Sequence, residues 1–114
     1  MDLIHIVYVS FSTHNLSEYE LNELLQVIRA KNALQKVTGL LLYNEGSFIQ
    51  VIEGKRDTIQ HLFEVIQKDS RHSNVVKLLE ESIKQRAFPD WTMGYRRISN
   101  EQSSRIPGFS DFFQ

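Results

Sequence analysis

Val75-Val76-Lys77-Leu78-Leu79-Glu80-Glu81-Ser82-Ile83-Lys84-Gln85-Arg86 is the stretch whose conformation decides the architecture. Val75, Val76, Leu78, Leu79 and Ile83 fit one helical face at least as well as they fit a strand, so periodicity alone favours a helix. The order of elements before it argues the other way. Leu3 to Ser10 is an apolar, β-branched run closed by polar residues, the pattern of a strand buried on both faces. Ser17 stands three residues before Glu20, with Leu16 and Leu21 on either side, which makes a capping box with a hydrophobic staple. Leu21, Leu24, Leu25 and Ile28 then recur at helical spacing, and the helix is predicted to end at about Lys31 or Asn32.

Val37 to Tyr43 and Phe48 to Glu53 read as two strands of a hairpin, joined by the three-residue loop Asn44-Glu45-Gly46 with Gly where a left-handed conformation is wanted. Past Gly54, Ile59, Leu62, Phe63 and Ile66 predict a second amphipathic helix that ends near Asp69. The order β-α-β-β-α is completed by a fourth strand in a ferredoxin-like unit, so Val75 to Arg86 is read as that strand. Pro89 then breaks the chain, and Trp91 to Ile98 reads as a further edge strand before a polar segment and the cluster Phe109, Phe112 and Phe113. The expected class is α+β: a ferredoxin-like β-α-β-β-α-β sandwich with an additional edge strand, its mixed sheet carrying two helices on one face.

Composition bounds the function. With 114 residues and 41% hydrophobic content, the chain suits one domain over 1–114, with a core at about 2–98 and a short C-terminal segment over 99–114. Thirteen Lys and Arg against fourteen Asp and Glu leave no broad electrostatic footprint for nucleic acid or an anionic membrane. No cysteine is present, so a disulfide framework, a thiolate nucleophile and a thiolate attachment site are all excluded. Any cofactor must bind non-covalently or through another residue type. No apolar run approaches membrane-spanning length and the opening residues lack a signal-peptide pattern, so the cytoplasm is the expected compartment.

Within Phe48-Ile49-Gln50-Val51-Ile52, Gln50 is a full amide amid apolar neighbours, and leaving it unpaired would cost about 1–3 kcal/mol. Strand alternation puts Gln50 on a face with Phe48 and Ile52, and Tyr8 on a face with Ile4, Ile6 and Ser10. If both faces meet the helices, a phenol and an amide share one apolar pocket. Two readings stay open here: the two side chains simply bond each other or the backbone, or they line a cofactor site. Asn32 reads as a C-terminal helix cap, and Asp69, Arg71 and His72 as residues that complement the end of the second helix. His5, His14 and His61 have no partners at metal spacing, and no metal is expected. Lys55-Arg56 and Arg96-Arg97 read as solvated pairs. Neither a dinucleotide fingerprint, nor a P-loop, nor a nucleophile elbow occurs, and no catalytic domain is expected in this chain.

Five stretches, taken together, resemble BLUF domains, the sensors of blue light that use FAD. They are Leu3-Ile4-His5-Ile6-Val7-Tyr8-Val9-Ser10, Thr38-Gly39-Leu40-Leu41-Leu42-Tyr43, Phe48-Ile49-Gln50-Val51-Ile52-Glu53-Gly54, Asp69-Ser70-Arg71-His72 and Phe88-Pro89-Asp90-Trp91-Thr92-Met93. The resemblance runs over residues 2 to 98 and keeps the spacing between all five motifs. It implies non-covalently bound FAD, with FMN or riboflavin as possible substitutes, lying between the two helices. It also implies that Tyr8 and Gln50 are the light-active pair and that Asn32 bonds the polar edge of the flavin. Asp69, Arg71 and His72 resemble residues lining that edge and nearby, while Trp91 and Met93 resemble the pair that relays the signal. Lys31 departs from relatives that carry another hydrogen-bonding residue there.

The implied activity is photoreception: Tyr8 gives an electron and its proton to the excited flavin, and the Gln50 hydrogen bonds rearrange. The implied partners are a flavin and a signalling partner or output domain. A second copy of the chain is also expected, because helices on one sheet face leave the other to be covered by the Phe109 to Phe113 tail, another copy or a partner. The alternative is a ferredoxin-like module that binds a small colourless ligand without photochemistry.

Overall fold

The structure is a computed structural model that describes residues 2–12, 15–69 and 72–98. Its elements are β1 (Leu3–Ser12), α1 (Glu18–Gln35), β2 (Thr38–Asn44), β3 (Ser47–Lys55), α2 (Arg56–Lys68), β4 (His72–Ile83) and β5 (Gly94–Arg97). The sheet order is β4-β1-β3-β2-β5. The first four strands pair antiparallel, and β5 joins β2 in parallel, which makes the sheet mixed. This is the expected ferredoxin-like α+β arrangement with one added edge strand.

The stretch Val75 to Arg86 is strand from its start to Ile83, and its helix-like pattern has a local cause. β4 carries two register shifts against β1: Val7 faces Leu79 while Tyr8 faces Lys77, and Val9 faces Val76 while Phe11 faces Ser73. Each shift inserts one extra residue, and Asn74 takes a left-handed φ of 50° beside the second. A bulge breaks the two-residue alternation of side chains. Val75 accordingly packs on the helix-covered core, whereas Val76 and Leu78 pack on the opposite face.

The start of α1 matches its sequence signature. The Ser17 hydroxyl accepts from the Glu20 N–H at 3.1 Å, and the Glu20 carboxylate accepts from the Ser17 N–H at 3.0 Å. Its end does not fall where expected. The helix runs on through Ala33, Leu34 and Gln35 and closes at Lys36, whose φ of 58° is left-handed and whose N–H reaches the carbonyls of Ala33 and Asn32. Asn32 is therefore a buried residue of the last turn and not the cap. Ala, Leu and Gln are good helix formers, and nothing in them stops the helix sooner.

The hairpin is tighter than read from sequence. Asn44 pairs with Ser47, leaving two turn residues, Glu45 (φ 45°) and Gly46 (φ 87°), both left-handed. Two positive φ angles in succession suit the twist of a two-residue hairpin. The last strand is also shorter: β5 starts at Gly94, so Trp91 and Met93 belong to the connecting segment that leads into it.

Two apolar clusters lie on either side of the sheet. Under the helices, Ile4, Ile6, Tyr8, Leu41, Tyr43, Phe48 and Ile52 meet Leu21 and Leu25 of α1 and Ile59 and Phe63 of α2. On the other face, Val9, Ile49 and Ile98 pack with Val7, Leu42, Val76 and Leu78. Phe109, Phe112 and Phe113, expected to cover that face, lie outside the described residues. Among the described residues, no helix is long and apolar enough to cross a membrane.

Candidate functional site

Side-chain alternation sends every second residue of β1 and β3 toward the helices, and the pairing register puts Tyr8 directly opposite Gln50. Both are buried, Gln50 at 5% exposure. The Tyr8 hydroxyl donates to Gln50 Oε1 at 2.5 Å. At its other end the amide Nε2 points at Met93 Sδ, 3.9 Å away, a weak acceptor at a long distance. Phe63 of α2 meets the Tyr8 ring edge-on, with centroids 5.3 Å apart. Phenol and amide thus meet in the helix-covered core and bond each other.

Burial drives the Tyr8 phenol far above its ordinary value of 10.0. The hydroxyl stays protonated and available to Gln50 throughout the pH range in which the domain is folded. A raised value means that the folded state holds the proton more tightly than the unfolded chain. The contribution of Tyr8 to stability is therefore complete below about pH 10 and declines as the pH climbs beyond it. In an ultraviolet titration, wild type and Tyr8→Phe are expected to release the same number of phenol protons until unfolding begins. An extra phenolate in the folded wild type would contradict the buried hydrogen bond.

The segment before β5 is held by three successive carbonyls. Trp91 O accepts from the Gly39 N–H of β2 at 3.0 Å, Thr92 O from Asn32 Nδ2 at 2.6 Å, and Met93 O from Arg29 Nε at 2.8 Å. Met93 is buried at 2% exposure, whereas Trp91 is half exposed and stacks on Phe88 with centroids 5.5 Å apart. Gly94 makes room for that indole, since a Cβ there would lie 2.5 Å from it.

Of the residues singled out from sequence, Tyr8, Gln50 and Met93 form one contiguous chain of contacts, and Asn32 joins it one residue away through Thr92. Asp69 closes α2, its N–H donating to Ile66 O at 3.1 Å. His72 opens β4 through its backbone, and Arg71 and His14 lie outside the described residues. Within the basic pairs, Arg56 makes exposed contacts to Asp2 at 2.6 Å and Ser82 at 2.8 Å, and Arg97 an exposed one to Glu18 at 3.3 Å. Arg29 and Glu53 carried no role in the sequence reading. Glu53 did carry a signal, because a carboxylate inside an apolar strand needs donors as much as Gln50 does.

The chain is a two-layer α+β domain with a buried phenol and amide pair beneath its helices, and comparison with known proteins narrows that class. A family model described as BLUF, sensors of blue-light using FAD, matches residues 3–94. The beta subunit of the photoactivated adenylate cyclase of Euglena longa is 35% identical over 110 residues, which span 96% of this chain and 13% of that protein. The structure of BlsA in its photo-activated state matches with a TM-score of 0.79 at 30% identity, covering 96% of this chain and 81% of that one. BlrP1 of Klebsiella pneumoniae, solved with FMN and cyclic diGMP, matches with a TM-score of 0.76 at 32% identity over 83% of this chain and 26% of that one.

The chain belongs to the BLUF family. It is a flavin-binding blue-light sensor domain, and it spans 13% of the cyclase subunit that it matches.

The residues present fit a flavin. Among the described residues, Gln50 Nε2 is a buried donor with only a thioether within reach, so it has hydrogen-bonding capacity to give to the carbonyl and ring-nitrogen acceptors of such a heterocycle. Leu21 and Leu25 of α1 and Ile59 and Phe63 of α2 share one buried cluster with Tyr8, an apolar setting that suits the flat apolar body of such a ring.

Proposed function

We propose that Tyr8 and Gln50 are the light-active pair of this domain, that its flavin is FAD with FMN or riboflavin as substitutes, and that the ring lies between α1 and α2. The 2.5 Å bond from Tyr8 to Gln50 Oε1, with Met93 at the far end of the amide, carries the reading. When bound and excited by blue light, the flavin supplies a strong oxidant. Tyr8 is the electron donor, and its hydroxyl proton leaves along the hydrogen bond that it already makes. Gln50 has an acceptor at one end of its amide and a donor at the other, so rotation or tautomerisation reverses what it offers to Tyr8, to Met93 and to the ring. A short bond in a low-dielectric site makes that exchange energetically consequential.

Asn32, Asp69, Arg71 and His72 are proposed to line the polar edge of the flavin, and Trp91 and Met93 to carry the change outward. Asn32 supports this through its place in the last turn of α1, where its amide already ties the Thr92 carbonyl. Beside Trp91 and Met93 opens a cleft of about 810 Å³, also lined by Arg29 and Ile98, where a signalling partner or output domain has access to the relay. A second copy of the chain on the apolar outer sheet face is part of the same proposal.

The test is a light-minus-dark absorbance spectrum of the flavin-loaded protein, with Tyr8→Phe alongside. The wild type is expected to give a reversible red shift, and Tyr8→Phe to bind flavin yet form that state with a yield reduced about 10-fold or more, since the phenol proton is gone while the volume is nearly kept. A wild-type red shift in Tyr8→Phe would remove Tyr8 from the mechanism.

A further inference from the structure

Glu53 lies three residues beyond Gln50 on β3, and by alternation its side chain leaves the sheet on the opposite face. It is fully buried. Three donors meet its carboxylate: the Thr38 hydroxyl at 2.7 Å, the Phe88 N–H at 2.8 Å and the Ala87 N–H at 2.9 Å. The Thr38 oxygen in turn accepts from Arg86 Nη1 at 2.8 Å, and the same guanidinium reaches the carbonyls of Glu53 at 3.0 Å and Lys36 at 2.7 Å. A buried carboxylate needs such donors to remain where it is.

Two of those donors are consecutive main-chain groups at the start of the segment that ends in Trp91, Thr92 and Met93. One strand therefore holds both ends of that segment. Glu53 fixes its beginning on one face of the sheet, and Gln50 meets its end, Met93, on the other. Between them the segment rounds β2, where Gly39 holds Trp91. A segment free at its start would follow any push on Met93 as a whole and absorb it. One fixed at its start converts the same push into a change at Trp91.

We propose that Glu53 is a positioning residue of the light switch: it anchors the segment at Ala87 and Phe88, so that the movement of the Gln50 amide is delivered through Met93 to Trp91. This rests on the assignment of Tyr8 and Gln50 given above.

Trp91 is the single tryptophan of the chain, so its fluorescence reports on this segment alone. Acrylamide quenching of Trp91, in the dark and under blue light, and dark recovery of the flavin spectrum are to be measured on flavin-loaded wild type, Glu53→Ala, Glu53→Gln and Thr38→Val. Glu53→Ala is expected to bind flavin and form the red-shifted state. Its Trp91 should be about 2-fold more quenchable in the dark, its light-induced quenching difference should fall about 3-fold, and its recovery should change about 3-fold, because the anchoring bonds are lost. Glu53→Gln retains one oxygen, which can keep the Oε1 bonds from Phe88 N–H and Thr38, but sets an NH2 where Oε2 accepted from Ala87 N–H, so it should rescue part of the light-induced difference. Thr38→Val, nearly isosteric, should fall between and provides the reading if Glu53→Ala does not fold.

Wild-type quenching and recovery in Glu53→Ala, or in Thr38→Val where the former is unfolded, would overturn the proposal. Loss of the red shift confined to Glu53→Ala would also overturn it, by placing Glu53 inside the switch. A wild type with no red shift would instead sink the Tyr8 and Gln50 assignment.

Discussion

Gln50→Leu is expected to retain its flavin and give no red shift under blue light. Leu keeps a similar volume in the core, so the packing of Phe48, Ile52 and Phe63 around it survives. It removes the acceptor now 2.5 Å from the Tyr8 hydroxyl and the donor directed at Met93. With both ends gone, nothing in the pocket can exchange donor for acceptor. The Tyr8 hydroxyl then sits buried with its partner removed, at a cost of about 1–3 kcal/mol, so the variant should also unfold at lower denaturant concentration. Light-minus-dark absorbance reads the first effect and urea titration the second. A normal red shift in Gln50→Leu would rule out an amide switch.

The largest effect on folding is expected from Gly39→Ala. A Cβ at position 39 would lie 1.9 Å from the carbonyl oxygen of Val51 and 3.0 Å from its carbon. Those are backbone atoms of the neighbouring strand, so no side chain can turn aside to make room. β2 and β3 would have to separate near the open end of the hairpin that carries Gln50, and the Gly39 N–H would shift away from Trp91 O. The expected loss is about 4 kcal/mol or more, which belongs to the extreme of single substitutions and is a large share of the usual 5–15 kcal/mol for a domain. Urea denaturation should show a chain that is unfolded or nearly so and that has lost flavin. An alanine variant of wild-type stability would mean that the two strands are farther apart here than the structure has them.

Local chemistry was readable wherever it acts over a few residues. The capping box of Ser17 and Glu20, the left-handed glycine at position 46 and the inward parity of Tyr8 and Gln50 each depend on spacings of two to four residues, and each is present in the fold. Local pattern was a poor guide where a distant partner intervened, although the order of elements still gave β4 as a strand. β4 looked helical because its two extra residues against β1 scramble the alternation, and a bulge is defined by the strand it pairs with. Asn32 looked like a cap because Asn is common at helix ends, yet Ala33 to Gln35 prolong the helix and bring that amide to Thr92, 60 positions away.

The sequence alone specified two helices, a set of strands and the side of each strand on which a phenol or an amide would emerge. Those properties follow from periods of 3.6 and 2.0 that every residue carries with it. Tertiary structure decided which groups touch: Arg29 and Met93, Asn32 and Thr92, Glu53 and the N–H groups of Ala87 and Phe88. Such contacts join residues about 30 to 65 positions apart. Their geometry is set by how the segment before β5 rounds the edge of the sheet, and no repeat along the chain encodes that path.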